Sequence, residues 1–199
     1  IAAVIFIFLY NNYKEDFIVD IDGYMIGVED INDIKSDEVE LKKLNIVWNA
    51  AVSINVVNIP GILKEMKESG CGSLFIGFES VHPDSINNVH KVQNDVSKYE
   101  DAIRQIHDHG IMINGSFVFG LDCDTKETFK HTLDFIVRNR IETVTSHIMT
   151  PYPGTVLYDR MKEEGRILTD DLSLYNTAHV VFEPKNMTKE ELYKGYLWI

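Results

Sequence analysis

The sequence is poor in cysteine. Cys71 and Cys123 are the only two in 199 residues, too few for a disulfide scaffold. With nothing else pointing to secretion, the expected compartment is the reducing cytoplasm. It also lacks positive charge. A net charge of −12 argues against a general nucleic-acid binder, because phosphate binding needs a basic footprint. Long hydrophobic runs are missing too. The apolar opening "IAAVIFIFLY" is too short to span a bilayer and has no basic flank of a signal peptide, so it reads as a buried strand, and no transmembrane segment is expected. There is no low-complexity tract and no repeat at solenoid spacing. No Walker A loop, G-x-S-x-G elbow or H-E-x-x-H motif occurs. His107 and His109 form an H-x-H pair without a third ligand, so a metal site is not expected there. His147, near the end of a strand, is the one histidine singled out.

What is present is ordinary globular composition, 45% apolar and 25% charged. A chain of this length buries roughly 70% of its unfolded surface. Strands and helices alternate. "IVWNAAVSI" (46–54) reads as a strand, followed by a helix around 60–69 that stops at Gly70. "SLFIGFE" (73–79) is the next strand. A helix over about 95–109 places Tyr99, Ala102, Ile103 and Ile106 on one face, and Gly110 ends it. "IMINGSFVFG" (111–120) is a strand. The helix over 124–140 carries an apolar stripe of Phe129, Leu133, Ile136 and Val137, with Asp124 and Glu127 spaced as a capping box. "TVTSHIM" (143–149) is a strand and 154–165 a helix. "HVVFEP" is a candidate strand, and Thr188 with Glu191 matches a capping box before the last helix. Such alternation implies βα units and a parallel sheet, either a barrel or part of one, or an open doubly wound sheet.

In both architectures ligands bind at the carboxyl ends of the strands. Those ends carry Ser53, then Glu79 and Ser80, then Gly120-Leu121-Asp122, then Thr150-Pro151-Tyr152-Pro153-Gly154. Gly77, Gly115 and Gly120 lie within or at the ends of strands, where glycine marks a close approach of another segment or of a ligand. Two readings stand side by side. Glu79 is a structural ion-pair partner at the rim, or Glu79, Gly115 and Gly120 surround one small molecule whose hydroxyl or ammonium groups Glu79 binds.

The ordered segments "SGCGSLFIGFESV", "IRQIHDHGIMINGSFVFGLDCDT", "HIMTPYPGTVLYDRMKEEGRI" and "LYNTAHVVFEPKNMTKEEL" resemble radical S-adenosylmethionine (SAM) enzymes. They look most like the subgroup with a cobalamin-binding domain upstream, which includes hopanoid methylases and magnesium-protoporphyrin ester cyclases. The similarity covers about residues 46–199. It implies a partial TIM-type (β/α)6 barrel: a poorly assigned part over 1–45, core βα units over 46–165 and an extension over 166–199. It implies SAM as cofactor, cleaved by a 4Fe–4S cluster to a 5′-deoxyadenosyl radical, with cobalamin in a separate domain, a small-molecule substrate and an electron-donor protein. By position, Glu79 and Ser80 match the pair that contacts the ribose or methionyl part. Gly115, Phe117 and Gly120 match the strand against adenine, and Tyr152 the last-strand loop. Ser53 and Asp22 complete the set, Asp22 through "FIVDIDG" (17–23), preferred over "VIFIFLYNN" (4–12) as the strand with the family's V-D-D-N-like run.

The departures are as informative. Iron needs thiolate ligands, and the family's C-x-x-x-C-x-x-C loop is absent here, so the cluster ligands are expected upstream of Ile1. Ala51 stands where relatives often carry glutamine. Two possibilities stay open: the SAM-binding portion of a radical SAM enzyme, or an inactive fragment or degenerate relative that only binds a ligand or partner.

Overall fold

The computed structural model describes residues 8–9, 17–21, 24–28, 45–82 and 96–199. Among them are strands β1 (Phe8–Leu9), β2 (Phe17–Ile21), β3 (Tyr24–Val28), β4 (Trp48–Val52), β5 (Cys71–Glu79), β6 (Met112–Phe119) and β7 (Thr143–Ile148). The helices are α1 (Ile62–Glu68), α2 (Tyr99–Asp108), α3 (Lys126–Arg138), α4 (Val156–Glu163) and α5 (Lys189–Trp198).

One sheet runs β1-β4-β5-β6-β7, and β2 pairs with β3 in a second. β1 and β5 flank β4 in parallel. From β4 onward each strand adds beside its predecessor. A doubly wound sheet reverses direction at a switch point, whereas a barrel adds strands in one direction. The order therefore selects the barrel-type α/β sheet from the two options open to the sequence.

The N-terminal assignment is corrected. Phe8 is level with Ala51 and Leu9 with Val52, so the first of the two competing segments lies beside β4. "FIVDI" instead forms an antiparallel ladder, with Asp20 opposite Met25. Pairing with residues so near in sequence costs little loop-closure entropy. Asp22 lies outside the described residues.

The chain divides into two compact units. The first is Ile1–Phe78, Gln93–Gly115 and Ile141–Val144, the second Glu79–Val92, Ser116–Arg140 and Thr145–Ile199. In the first, burial follows the two-residue period of a strand. Leu74, Ile76 and Phe78 are fully buried, while Ser73, Phe75 and Gly77 are half-buried. The Phe78 ring meets Tyr99 of α2 edge-on at 5.0 Å, so this face carries the helices. α2 turns Tyr99, Ala102, Ile103 and Ile106 inward as its spacing predicts. Trp48 is buried and donates from Nε1 to the Ser69 carbonyl at 3.0 Å. On the opposite face the Ser73 hydroxyl donates to Asn49 Oδ1 at 2.6 Å.

In the second unit Phe119 stacks on Phe129 of α3, ring centroids 4.8 Å apart. The α3 stripe differs from the expected one. Thr128, Phe129, Thr132, Phe135 and Ile136 are buried, and Val137 is 68% exposed. Threonine methyls complete a helical stripe as valine would, and a count of apolar residues alone passes over them. The expected "HVVFEP" strand is a single antiparallel bridge, Ile167 to Phe182. Thr188 and Glu191 form the expected capping box, with bonds of 2.9 and 3.2 Å. Among the described residues no helix is long and apolar enough to cross a membrane.

Candidate functional site

The strand-end residues fall on both units. Ser53 and Gly115 belong to the first; Glu79, Ser80, Phe117, Gly120 and Tyr152 belong to the second.

Glu79 ends β5 at φ +62, a left-handed conformation uncommon outside glycine, asparagine and aspartate. The chain on both sides of it is fastened. The Tyr99 hydroxyl, fully buried, donates to the Phe78 carbonyl at 3.1 Å. Just beyond, Ser80 is buried and its Oγ accepts the His82 N–H at 3.1 Å. Tyr99 thus pins the last regular residue of the strand, and Ser80 turns the chain away after Glu79. Between them a half-buried carboxylate is held in a conformation that costs about 1 kcal/mol or more. Strain of this kind clusters at functional sites.

Other members of the set have local structural work. Ser53 caps the short 3-10 turn Ile54–Asn58, its side chain accepting the Asn55 N–H at 3.4 Å. The Phe117 ring is fully buried against Phe135 of α3, centroids 6.4 Å apart, on the helix-facing side of β6. Gly120 has φ +94, and a Cβ there would lie 2.9 Å from both Leu192 Cδ2 and Phe182 Cζ, so its close approach is to the protein's own C-terminal segment. Gly115 is buried in β6. Tyr152 is 46% exposed in the loop after β7.

The loop after β6 contains residues the sequence reading did not place in the site. Buried Asp124 accepts the backbone N–H groups of Gly120 and Leu121 on Oδ2, at 2.9 and 3.0 Å. The expected Asp124–Glu127 capping box is replaced. Thr128 Oγ1 accepts the Thr125 N–H at 3.0 Å, and the Thr125 hydroxyl donates to Glu127 at 2.8 Å. An aspartate five residues after the end of β6, in a loop that precedes a helix, is a turn-forming signal that could have identified Asp124. Asp122 binds Arg166 at 2.9 Å, Lys185 at 2.9 Å and Arg160 at 3.3 Å. Burial pushes the Asp122 carboxyl up, but hydrogen bonds from Lys185 and Arg166 outweigh it and hold the pKa below the ordinary carboxylate value.

The two cysteines do not fit an iron–sulfur cluster. Cys71 is buried at the amino end of β5, its Sγ 3.6 Å from the Ser73 carbonyl. Cys123 is half-buried beyond the carboxyl end of β6. A cluster needs three or four thiolates, and among the described residues no group of three His, Cys, Asp or Glu is placed to hold a metal.

A family model described as the radical SAM superfamily matches residues 19–136. A bacteriochlorophyllide d C-12(1)-methyltransferase of Chlorobaculum tepidum is 38% identical over 79% of this chain, which covers 34% of that protein. A bacteriochlorophyllide d C-8(2)-methyltransferase of the same organism is 31% identical over 72% of this chain and 32% of its own length. The chain thus spans about a third of these relatives. Among solved structures, the radical S-adenosylmethionine methyltransferase TsrM of Kitasatospora setae, with cobalamin and a 4Fe–4S cluster bound, aligns with a TM-score of 0.55 at 14% identity. That alignment covers 67% of this chain and 26% of TsrM. The archaeal Elp3 of Methanocaldococcus infernus aligns with a TM-score of 0.55 at 15% identity, over 73% of this chain and 30% of its own.

Proposed function

This chain belongs to the radical SAM superfamily, and from that membership we propose that it is the SAM-binding portion of a cobalamin-dependent methyl-transferring enzyme. Glu79 carries the reading: a half-buried carboxylate kept at φ +62 at the carboxyl end of a buried strand. Its two oxygens are suited to the hydroxyl and ammonium groups of SAM. Tyr152, in the same compact unit as Glu79, supplies an aromatic surface in the loop after β7. When bound, SAM supplies the methyl group and, on reductive cleavage, the radical chemistry of the family. Phe78 and Tyr99 fix the angle at which Glu79 leaves β5, and Asp124 fixes the turn after β6. The iron–sulfur ligands and the cobalamin are contributed from outside this chain, and an electron-donor protein serves the cluster. A cytoplasmic enzyme is the proposed setting.

The names of the two bacteriochlorophyllide methyltransferases support a tetrapyrrole as the methyl acceptor. Isothermal calorimetry on the full-length, anaerobically reconstituted protein tests the cofactor reading. SAM is expected to bind the wild type, and Glu79→Gln is expected to weaken it about tenfold, the loss of a charge-assisted hydrogen bond. Absence of SAM binding in the wild type would sink the reading.

A further inference from the structure

The cofactor reading gives no role to His147 and Thr177. Thr177 is β-branched yet holds φ +63, where such residues are outliers costing of order 1–3 kcal/mol. Two bonds keep it there. Its carbonyl accepts the Ile148 N–H at 2.7 Å, and its Oγ1 lies 3.2 Å from His147 Nδ1. One strained residue therefore grips two successive residues of β7. Ile148 is fully buried. His147, half-buried, projects from the opposite strand face, next to the carboxyl end where barrel ligands bind.

In the tautomer whose Nδ1–H donates to Thr177 Oγ1, Nε2 keeps its lone pair. Among the described residues Nε2 makes no hydrogen bond. An imidazole with one nitrogen fixed by an oxygen and the other left open is the arrangement of metal-ligating histidines. Among the described residues His147 belongs to no group of three metal-ligating side chains. A lone imidazole suits a metal that arrives with its other ligands in place. A metallotetrapyrrole is such a ligand: four ring nitrogens occupy the plane and leave an axial position.

We propose that His147 Nε2 is the axial ligand for the central metal of a tetrapyrrole substrate, with Thr177 as the residue that positions the ring. This rests on the tetrapyrrole acceptor proposed above. The same strand face and the same open nitrogen would present the macrocycle at a fixed height over the carboxyl edge of β7. A metal-free macrocycle would keep its apolar contacts and lose this anchor.

The test titrates the full-length protein with zinc protoporphyrin IX and with metal-free protoporphyrin IX, followed by Soret absorption. Both are expected to bind, and only the zinc form is expected to show the red shift of axial imidazole ligation. His147→Ala should lose that shift, with metal-free binding unchanged, and added imidazole should restore it. Thr177→Val should weaken zinc-porphyrin binding about tenfold, and Thr177→Ser should not. Thermal melts confirm that each variant is folded. Binding of both porphyrins without a wild-type shift, or an unchanged shift in His147→Ala, overturns the His147 ligand alone. So does an equal loss of both porphyrins in His147→Ala. Failure of both porphyrins to bind overturns the tetrapyrrole acceptor as well. SAM calorimetry then separates that failure from the cofactor reading.

Discussion

Glu79 places a carboxylate at the end of "SLFIGFE", where a buried strand has little use for one. Its left-handed backbone sharpens the case. The left-handed φ of Glu79 carries a local cost of about 1 kcal/mol or more. Glu79→Gly removes both the strain and the carboxylate. Its expected outcome is a chemical-denaturation stability held or raised by up to about 1 kcal/mol, together with weakened SAM binding. A drop in stability of more than about 1 kcal/mol would make Glu79 structural instead. What Phe117 and Gly120 pack against was not legible in the sequence, for one reason. A strand such as "INGSFVFG" has small or apolar residues on both faces, so alternation separates the faces without saying which one meets helices. Only the Phe135 ring against Phe117, and Leu192 and Phe182 against Gly120, settle that. Tyr99 and Thr177 were invisible as site residues because their roles depend on partners 21 and 30 positions away.

Elements were more legible than their junctions. Every helix and strand read over residues 46–165 exists, because each carries enough periodic apolar residues to be recognised locally. What the sequence did not show is how the C-terminal helix is seated. α5 crosses α3 at Gly195, where a Cβ would lie 2.2 to 2.4 Å from atoms of the Phe129 ring. Phe129 in turn stacks on Phe119, so it has nowhere to retreat. Gly195→Ala is therefore expected to destabilise by about 1–3 kcal/mol through overpacking, although alanine is the better helix former. Gly165→Ala is the matched comparison. It has φ +68 with nothing within 4 Å of its Cβ position, so its cost is the backbone strain alone, about 1 kcal/mol. Thermal unfolding of the two variants separates them. An equal loss would mean that α5 is not held against Phe129.

At the scale of the molecule, net charge and local charge pull in opposite directions. The sequence carries −12, so acidification relieves its self-repulsion. Yet the second unit concentrates Arg160, Arg166 and Lys185 around Asp122, and Arg166 is 9% exposed. This network joins "GLDCDT" to "EGRI" and "EPKN", three of the segments that carry the family resemblance, and no spacing rule in the sequence foretells their meeting. Asp122 has a folded pKa below its unfolded value. Its stabilisation is thus complete above the ordinary carboxylate pKa of about 3.9 and is lost as pH falls through the lowered folded value. Asp122→Asn leaves Arg166 with Glu164 as its remaining carboxylate partner, and the variant is expected to lose about 3 kcal/mol at neutral pH. The gap should narrow as pH falls below the ordinary carboxylate value of about 3.9 and through the lowered folded value of Asp122. Urea unfolding of both proteins at neutral and acid pH measures it. A gap that stays constant with pH would show that the loss comes from packing, and that the charge on Asp122 does not hold these three segments together.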